Sequence, residues 1–358
     1  MHLFVDISSH GFGHLSITAP VLNALAEACP TLRLTLRSGL PASKLAQRIR
    51  PDFQHIAATS DFGYVMHDAL RIDFAATATA YRQAHADWPL RVLDEARFLE
   101  HLKPDVVLTN VAYLPLAGAA LAGIPALSIC SLNWATLFVH YFGSEAWAAP
   151  IHAQMLAAYR SAAHFIRITP AMPMDDLPNA VAVGPIAAQG TRRDLGLGKS
   201  KAVLVALGGI DHRLPVDHWP RLPGVRWLVA GHWQCTHPDA MAYETFGLSF
   251  TDLLASVDAI VTKPGYGTFT EAACNGTPVL YLRRDDWPEQ DCLIDWLSAT
   301  GHALEVSAGD LEAGHLDAAL SRLWACPPSP CLRADGAQAA AELILKTRTS
   351  AKTPAIGE

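Results

Sequence analysis

The sequence lacks both the long apolar runs of a membrane protein and the basic surplus of a nucleic-acid binder. No uninterrupted run of about 18 apolar residues occurs, so no transmembrane segment is expected. The 27 Lys and Arg residues are outnumbered by 34 Asp and Glu, and the formal net charge of −7 provides no positive field for nucleic acid. Charged residues make up only 17% of the chain and hydrophobic residues 51%, which excludes intrinsic disorder.

Patterns that indicate a metal site or a disulfide framework are also scarce. The seven cysteines are odd in number and form no Cys-x-x-Cys, and the 16 histidines form no His-Glu-x-x-His. We therefore expect reduced thiols, no metal, no cofactor and a cytoplasmic location. A disulfide or zinc site at Cys326 and Cys331 is the alternative. The first seven residues are typical of a strand, so no signal peptide is expected.

Short apolar segments alternate with helical patterns through the first half of the chain. This alternation predicts parallel β-α-β units with helices on both faces of a sheet. We predict a helix at Ser16–Ala28 with Pro20 in its first turn, and one long helix or two helices broken near Pro89 within Ala78–Leu102. The predicted strands are Leu3–Ile7, Leu32–Leu36, Asp105–Thr109 and Pro125–Cys130.

The same pattern restarts after a proline-rich stretch, Thr169–Pro185. The predicted fold class is therefore α/β, with two Rossmann-like, doubly wound parallel-sheet domains facing each other across a cleft. The predicted later elements are strands Val203–Leu207, Arg226–Ala230, Ala259–Thr262 and Val279–Leu282, and helices Phe250–Ser256 and Thr268–Asn275. The predicted boundaries are 1–168 for the first domain, 169–201 for a linker and loop, 202–335 for the second domain, and 336–358 for a C-terminal helix and polar tail.

A glycine-containing loop follows the first predicted strand. Gly11 and Gly13 permit a sharp turn and the close approach of a ligand. A dinucleotide site would need a third glycine where Ser16 stands, although Arg37 at the end of strand two leaves an NADP phosphate open as an alternative. His14 lies at the start of the next helix, whose dipole favours the neutral imidazole of a general base. The alternative is a histidine that only caps the helix or packs against a loop.

A second candidate site follows the predicted strand Ala259–Thr262. Lys263 and the turn Gly265–Gly267 precede a helix, where a point charge, backbone N–H groups and the helix dipole all favour a phosphate. We place Glu271 in about the first turn of that helix, where it either complements the dipole or accepts hydrogen bonds from two ribose hydroxyls. The segment Arg283–Gln290 is either a solvated loop or a clamp for sugar hydroxyls.

These motifs resemble the donor-binding signature of GT-B glycosyltransferases, a superfamily that includes plant secondary-product glucosyltransferases and the bacterial GlcNAc transferase of lipid intermediates. The shared pattern is Gly265-x-x-Thr268-x-x-Glu271, Asn275–Val279 and Glu289-Gln290. The resemblance implies that the second domain binds a nucleotide sugar and that Glu271 binds ribose. It also implies that Gly11 and Gly13 belong to the acceptor-side loop of the first domain, and that His14 in this loop is the base. It also implies phosphate or nucleotide contacts for Gly208, Gly209, Lys263, Gly265, Tyr266, Gly267 and Thr268, and donor-sugar contacts for Arg283, Glu289 and Gln290.

Over nearly its whole length the chain also resembles the glycosyltransferase-like N-terminal half of plant arabinokinases. That resemblance rests on Gly11–His14, Asp68–Leu70, Gly265–Thr268 and Arg283–Asp285. The 358 residues contain no kinase half, so a sugar kinase activity is not expected. Two positions depart from the plant glucosyltransferases. Asn110 stands where they have an aspartate that orients the histidine, and Lys263 stands where they have a phosphate-binding histidine.

The expected activity is inverting, metal-independent transfer of a sugar from a nucleotide diphosphate sugar, with a UDP-sugar as the expected donor. The acceptor is a hydroxyl of an unidentified small molecule or glycan. His14 would deprotonate it, while Lys263, Arg283 and the N–H groups of Gly265–Gly267 stabilise the diphosphate. The alternatives are a nucleotide-sugar hydrolase, which Gly11–His14 and residues 208–211 also resemble, a nucleotide-sugar epimerase, and a non-catalytic nucleotide-sugar-binding protein.

Aromatic segments of the first domain offer surfaces on which an acceptor sugar or flat ring can stack. The alternative role of these rings is core packing. The segments are Asp61–Tyr64, Asn133-Trp134 and Tyr141-Phe142.

Overall fold

The chain divides into two compact units. In the computed structural model, which describes residues 1–68, 70–208, 212–327 and 331–352, the first unit comprises Met1–Met66, Ile72–Ile186 and Asp335–Glu358. The second unit comprises His67–Arg71 and Ala187–Ala334. Each unit is built on its own parallel sheet with helices, so the predicted α/β class with two doubly wound sheets is confirmed.

The first unit contains a seven-stranded sheet in which each described pair of neighbouring strands is parallel. The strands are β1 (His2–Ile7), β2 (Arg33–Arg37), β3 (Phe53–Ile56), β4 (Val106–Asn110), β5 (Ala126–Cys130), β6 (His164–Ile168) and β7 (Ala180–Val183). Their order is β3-β2-β1-β4-β5-β6-β7. The direction of winding reverses between β1 and β4, and ligands in open α/β sheets bind beyond the carboxyl ends of strands at such a switch point.

The second unit contains a six-stranded sheet of the same type. Its strands are β8 (Lys201–Val205), β9 (Val225–Val229), β10 (Ala240–Ala242), β11 (Ala259–Thr262), β12 (Val279–Tyr281) and β13 (Ala303–Glu305). They are arranged in the order β10-β9-β8-β11-β12-β13, again with parallel neighbours. The switch point of this sheet lies between β8 and β11.

Helices cover these sheets and bury the apolar side chains of the strands. Those of the first unit are α1 (Gly13–Ala28), α2 (Ala42–Ala46), α3 (Phe74–Ala86), α4 (Trp88–Leu102), α5 (Leu114–Leu121), α6 (Trp134–Phe142), α7 (Ala148–Ser161) and α13 (Gly336–Lys352). Those of the second unit are α8 (Phe250–Ser256), α9 (Tyr266–Asn275), α10 (Glu289–Thr300), α11 (Ala308–Ala313) and α12 (Asp317–Ala325).

Several helix boundaries differ from those predicted. α1 begins at Gly13 rather than Ser16, because the N–H of Ser16 already donates to Phe12 O at 3.0 Å, and Pro20 therefore lies inside the helix. The helical pattern before residue 103 forms two helices that meet at Asp87, ahead of a proline that is accommodated in the first turn of α4. α9 begins two residues earlier than predicted.

The stretch assigned to a linker, residues 169–201, contributes a strand to the first sheet. Ala180–Val183 form β7, which pairs with β6 in the register Phe165↔Ala180. This four-residue strand is close to Pro178 and Pro185, which conceal it in the sequence. The first unit thus extends to Ile186 rather than to residue 168, and it also includes α13, which packs against α1.

A buried ion triad lies at the carboxyl ends of β1 and β2. Arg37 donates to Asp6 and, at 2.9 and 2.6 Å, to both carboxylate oxygens of Glu95 on α4. Its guanidinium lies over the rings of Phe4 and Phe98. Burial disfavours the charge of Arg37, but the two carboxylates outweigh it and raise its pKa. Because Arg37 is engaged by two carboxylates, it is not the NADP-phosphate ligand that the sequence left open.

No helix in the described part of the chain is both long and apolar enough to cross a membrane. All seven cysteines are thiols, so Cys326 and Cys331 do not form the disulfide considered above. Within the described ranges, no cluster of three or more His, Cys, Asp or Glu side chains is arranged to hold a metal ion.

The triad generates a stability prediction. Replacing Arg37 by Met leaves two buried carboxylates without their cation, and this should lower the free energy of unfolding by about 3–5 kcal/mol. The matched control is Arg50→Met, since Arg50 pairs with Glu27 at the surface with 67% of each side chain exposed. The control should cost less than about 1 kcal/mol. Urea denaturation of both variants checks this, and equal losses would contradict a special role for the triad.

Candidate active site

The loop after β1 turns sharply into α1. Gly11 has a φ of 102°, a left-handed conformation that side chains rarely adopt, and its N–H donates to Ser9 O at 2.7 Å. A side chain at Gly13 would meet no atom within 4 Å of its Cβ. The loop is therefore open at the N-terminus of α1, which allows a ligand to approach the backbone there.

His14, in the first turn of α1, is buried against the end of β4. Its Nδ1 lies 2.7 Å from Oδ1 of Asn110. The Asn110 amide nitrogen donates to His14 O at 3.1 Å and to Thr18 Oγ1 at 2.8 Å, which determines the orientation of the amide. Because Oδ1 can only accept, Nδ1 carries the proton and Nε2 carries the lone pair. The ring is therefore held in the neutral tautomer whose Nε2 can accept a proton.

Burial determines the charge state of His14. Desolvation lowers its pKa to about 4, and the hydrogen bond to Asn110 opposes this shift only in part. The imidazole is thus neutral at physiological pH. The sequence suggested the same neutrality from the helix dipole, whereas burial is the larger cause in the structure. The Trp134 ring packs edge-on against the imidazole at 5.8 Å, and Cys130 Sγ lies 4.0 Å from Nδ1.

The backbone is strained directly after Asn110. Val111 has a φ of 69°, which is rare for a β-branched residue and costs about 1–3 kcal/mol. Its carbonyl accepts a hydrogen bond from the Tyr159 hydroxyl at 2.6 Å, and Val111 is fully buried. This tight turn ends β4 at the residue that orients the imidazole, so the surrounding structure maintains an unfavourable conformation at the candidate site.

A carboxyl group lies beside the same cluster. Asp61 Oδ2 accepts the indole N–H of Trp134 at 2.7 Å. Asp61 keeps some solvent exposure as a residue, yet burial of its carboxyl group and then the charge of Asp6 raise its pKa to about 7. The first unit therefore places a neutral imidazole and a weakly acidic carboxyl group around one tryptophan.

Most of the aromatic rings considered as an acceptor surface belong to the core. Tyr64, Trp134 and Phe142 are buried, and Tyr64 packs edge-on against Trp134 at 5.8 Å. Tyr141 is partly exposed and packs against the exposed ring of Phe74 at 5.2 Å. Phe62 is also partly exposed and packs edge-on against Tyr81 at 4.8 Å. Of this group, Phe62 and Tyr141 therefore offer the accessible ring surfaces.

In the second unit, the loops after β8 and β11 come together at the switch point. Gly208, which is exposed, has a φ of 100°, and a Cβ added there would lie 3.7 Å from the Nζ of Lys263. A Cβ added at Gly265 would lie 4.0 Å from the same nitrogen. The Lys263 ammonium therefore lies close to two glycine backbones. Gly209 lies outside the described residues.

The surroundings of Lys263 disfavour the positive charge of its ammonium group. Lys263 is partly exposed as a residue, but burial of its ammonium and then the positive charge of Arg284 lower its pKa to about 7. Glu289 opposes this shift in part. A bound anion would favour the protonated ammonium, so this position is suited to a phosphate group.

The first turn of α9 contains Tyr266, Gly267 and Thr268, of which only Thr268 is partly exposed. Glu271 is the sixth residue of this helix and is 1% exposed. It thus lies deeper in the helix than predicted, so the interpretation as an N-terminal carboxylate is wrong. The helix ends at Asn275 with Gly276 in the left-handed conformation and Pro278 beyond, so this part of the motif has a structural explanation.

The residues that follow β12 have unequal environments. Arg283 has 39% of its side chain exposed and forms ion pairs with Asp291 and, at 3.4 Å, with Glu305. Arg284 is 5% exposed, and its guanidinium carbon lies 3.9 Å from the ring centroid of Trp287. Arg283 therefore forms ion pairs at the surface. Arg284, in contrast, is the arginine whose charge helps to lower the pKa of Lys263.

The acidic and amide residues at the start of α10 are both buried. Glu289 Oε2 accepts the indole N–H of Trp287 at 3.1 Å. Gln290 accepts from the N–H of Arg284 at 2.9 Å and donates to its carbonyl oxygen at 2.9 Å. Arg284 is thus the residue that sequence reasoning missed. The available signal was Trp287, three residues further on, which provides a ring for a guanidinium to stack on.

Comparisons with known proteins agree with this architecture. No family model matches the chain. An L-arabinokinase of Arabidopsis thaliana is 24% identical over 354 residues, which cover 95% of this chain and 34% of that protein. This chain therefore spans about a third of the length of its relative.

Solved structures share the fold over nearly the full length of both chains. The glycotransferase of kitacinnamycin matches with a TM-score of 0.64 and 18% identity, covering 98% of this chain and 94% of that chain. The glycosyltransferase VinC in complex with dTDP has a TM-score of 0.58 and 18% identity, with 98% and 96% coverage. A UDP-N-acetylglucosamine 2-epimerase has a TM-score of 0.56 and 14% identity, with 99% and 98% coverage. The predicted GT-B fold is confirmed, and at these identities the likeness concerns the fold alone.

The buried imidazole predicts a pH dependence of stability. Its pKa of about 4 in the folded chain lies below the ordinary value of 6.5, so the unfolded chain binds more protons in between. The stability contribution is complete above pH 6.5 and is lost as the pH falls towards 4. Between pH 7 and pH 5 the loss should be about 2 kcal/mol.

Urea denaturation at both pH values checks this prediction. His14→Gln, which has no titrating ring, should reduce the difference between pH 7 and pH 5 by that amount. His101→Gln is the control, because His101 is exposed on α4 and solvent surrounds it in both states. If His14→Gln and wild type show the same pH dependence, the imidazole does not titrate as described.

Proposed function

We propose that this protein is an inverting glycosyltransferase that transfers a sugar from a nucleotide diphosphate sugar to an acceptor hydroxyl. The observation that carries the proposal is the hydrogen bond between His14 and Asn110, which leaves a neutral imidazole with its Nε2 lone pair available. A general base needs this protonation state in order to remove the proton of an attacking hydroxyl. A single base acting against a single leaving group gives one displacement, and therefore inversion.

The second unit supplies the donor site in this proposal. The leaving diphosphate is an anion, which the Lys263 ammonium and the N–H groups at the start of α9 stabilise. Side-chain cations then provide the positive charge, so no divalent metal is required. UDP-sugars are the first candidates for the donor.

Two buried carboxylates complete the proposed donor site. Glu271 accepts hydrogen bonds from ribose hydroxyls, and Glu289 accepts one from the donor sugar. Because both side chains are buried, these contacts require neighbouring side chains to change rotamer on binding.

Two other activities use the same groups. A nucleotide-sugar hydrolase would use His14 to deprotonate water instead of an acceptor. A nucleotide-sugar epimerase needs carboxyl groups in the site, and the observation that favours testing it is Asp61, whose pKa of about 7 suits an acid–base group.

One experiment separates these activities. The protein is incubated with UDP-, dTDP- and GDP-sugars, with and without a panel of sugars and phenols as acceptors. Diphosphate release that depends on an acceptor indicates transfer, and release without one indicates hydrolysis. NMR of the sugar ring detects epimerisation. A wild-type protein that binds no nucleotide and changes no nucleotide sugar would refute the proposal.

The base role predicts the kinetics of His14→Ala. Turnover should fall by about 10²–10⁴-fold, the usual contribution of a positioned base, while nucleotide affinity stays within about 2-fold of wild type. Asn110→Asp should leave turnover unchanged or raise it, because a carboxylate beside Nδ1 stabilises the imidazolium formed during the reaction. Nucleotide release and calorimetric binding are measured in parallel. A variant that loses only nucleotide affinity would make His14 a ligand rather than a base.

The ribose role predicts the affinity of Glu271→Gln. Loss of a charged acceptor should weaken nucleotide diphosphate binding by about 10–100-fold, equivalent to about 1.5–3 kcal/mol for hydrogen bonds to a charged group. Glu312→Gln is the control, because Glu312 is exposed on α11 of the same unit. Calorimetric titration measures both, and melting curves verify that they fold. Unchanged affinity in a folded Glu271→Gln variant removes Glu271 from the site.

A further inference from the structure

Arg283 and Arg284, which follow β12, have different side-chain contacts. Arg283 is engaged by the carboxylates of Asp291 and Glu305 at the surface. Arg284 is buried, and its guanidinium carbon lies over the Trp287 ring, 3.9 Å from the centroid. The contact with the ring face stabilises the cation, and the guanidinium offers a planar fork of N–H donors that matches the oxygens of a phosphate.

Gln290 builds this arrangement through the backbone. Its amide oxygen accepts from Arg284 N, and its amide nitrogen donates to Arg284 O, both at 2.9 Å. One side chain therefore satisfies both backbone groups of Arg284 and fixes the turn that carries it. The carbonyl and amino ends of the Gln290 amide are already engaged, which leaves less hydrogen-bonding capacity for a sugar hydroxyl.

We propose that Arg284 and Lys263 form a cation pair that binds the diphosphate of the donor, and that Gln290 is a positioning residue for Arg284 rather than a ligand of the sugar. The inference rests on the function proposed above. It assigns the diphosphate contact to Arg284 instead of Arg283. It also assigns Gln290 to the orientation of Arg284 instead of to the donor sugar.

The charge environment agrees with this assignment. Lys263 and Arg284 follow the adjacent parallel strands β11 and β12, which pair in the register Thr262↔Tyr281, so both cations lie at the same edge of the sheet. Their positive charges repel each other when no anion is present, in agreement with the lowered pKa of Lys263. A diphosphate carries negative charge on both phosphates and relieves that repulsion. Lys263 lies close to Gly208 and Gly265, where the absence of side chains leaves room for the phosphates beside the ammonium.

The first test compares the two arginines. Calorimetry measures the affinity of Arg284→Met, Arg284→Lys and Arg283→Met for UDP, dTDP and GDP, and the diphosphate that wild type binds most tightly is used throughout. Arg284→Met should lose about 10–100-fold in affinity, the scale of hydrogen bonds to a charged group. Arg284→Lys should lose less, because it retains the charge without the planar fork. Arg283→Met should stay within about 3-fold of wild type.

The second test separates positioning from sugar contact at Gln290. Gln290→Met should lower the affinity for the free nucleotide diphosphate and for the nucleotide sugar by the same factor. Both ligands contain the diphosphate that Arg284 binds, and the substitution displaces Arg284. A ligand of the sugar would instead leave the affinity for the free diphosphate unchanged and weaken only the nucleotide sugar. In the double variant with Arg284→Met, the loss from Gln290→Met should largely disappear.

The outcomes are distinct. The inference is overturned if Arg284→Met or Arg284→Lys, whichever folds, binds like wild type, if Arg283→Met loses as much, or if Gln290→Met affects only the nucleotide sugar. In each of these cases wild type still binds nucleotide and the proposed function stands. If wild type binds none of the three diphosphates, the proposed function fails and the inference fails with it.

Discussion

Burial of both faces of each parallel sheet is the constraint on which the rest of this structure depends. Strands covered by helices on both sides accept mostly apolar side chains, so polar groups are concentrated where the strands end. At the carboxyl ends of the first sheet these are Asp6, Arg37 and Asn110. In the second sheet, Lys263 directly follows β11. The candidate chemistry of both units therefore lies at the strand exits beside their switch points.

The environment of His14 shows how burial and hydrogen bonding combine. A buried imidazole is neutral because desolvation disfavours its cation, and Asn110 then selects the tautomer without adding charge. An aspartate at position 110 would favour the imidazolium and so oppose the effect of burial. With an amide at this position, burial remains the main influence on the charge of the imidazole, whereas a carboxylate would also stabilise the imidazolium that forms when His14 accepts a proton.

The second unit uses the opposite principle, because it brings like charges together. Burial, and then the positive charge of Arg284, lower the pKa of Lys263. Such an arrangement lowers the stability of the free protein, and binding sites often contain it because the ligand compensates. The Trp287 ring and the Gln290 amide supply the contacts that hold Arg284 in this position.

The sequence by itself determined the α/β class, the two sheets, most of the strands and the glycine loops, because apolar periodicity and glycine positions are local properties. The resemblance to plant glucosyltransferases also paired Asn110 with His14. Only the tertiary structure decided that Ala180–Val183 is a strand, that Trp134 is buried, and that Arg284 rather than Arg283 is the buried arginine that influences the charge of Lys263. Neighbouring side chains that leave a strand point in different directions, and which of them is buried depends on partners distant in sequence. For these arginines the partners are Trp287, Asp291 and Glu305, whose positions no local pattern specifies.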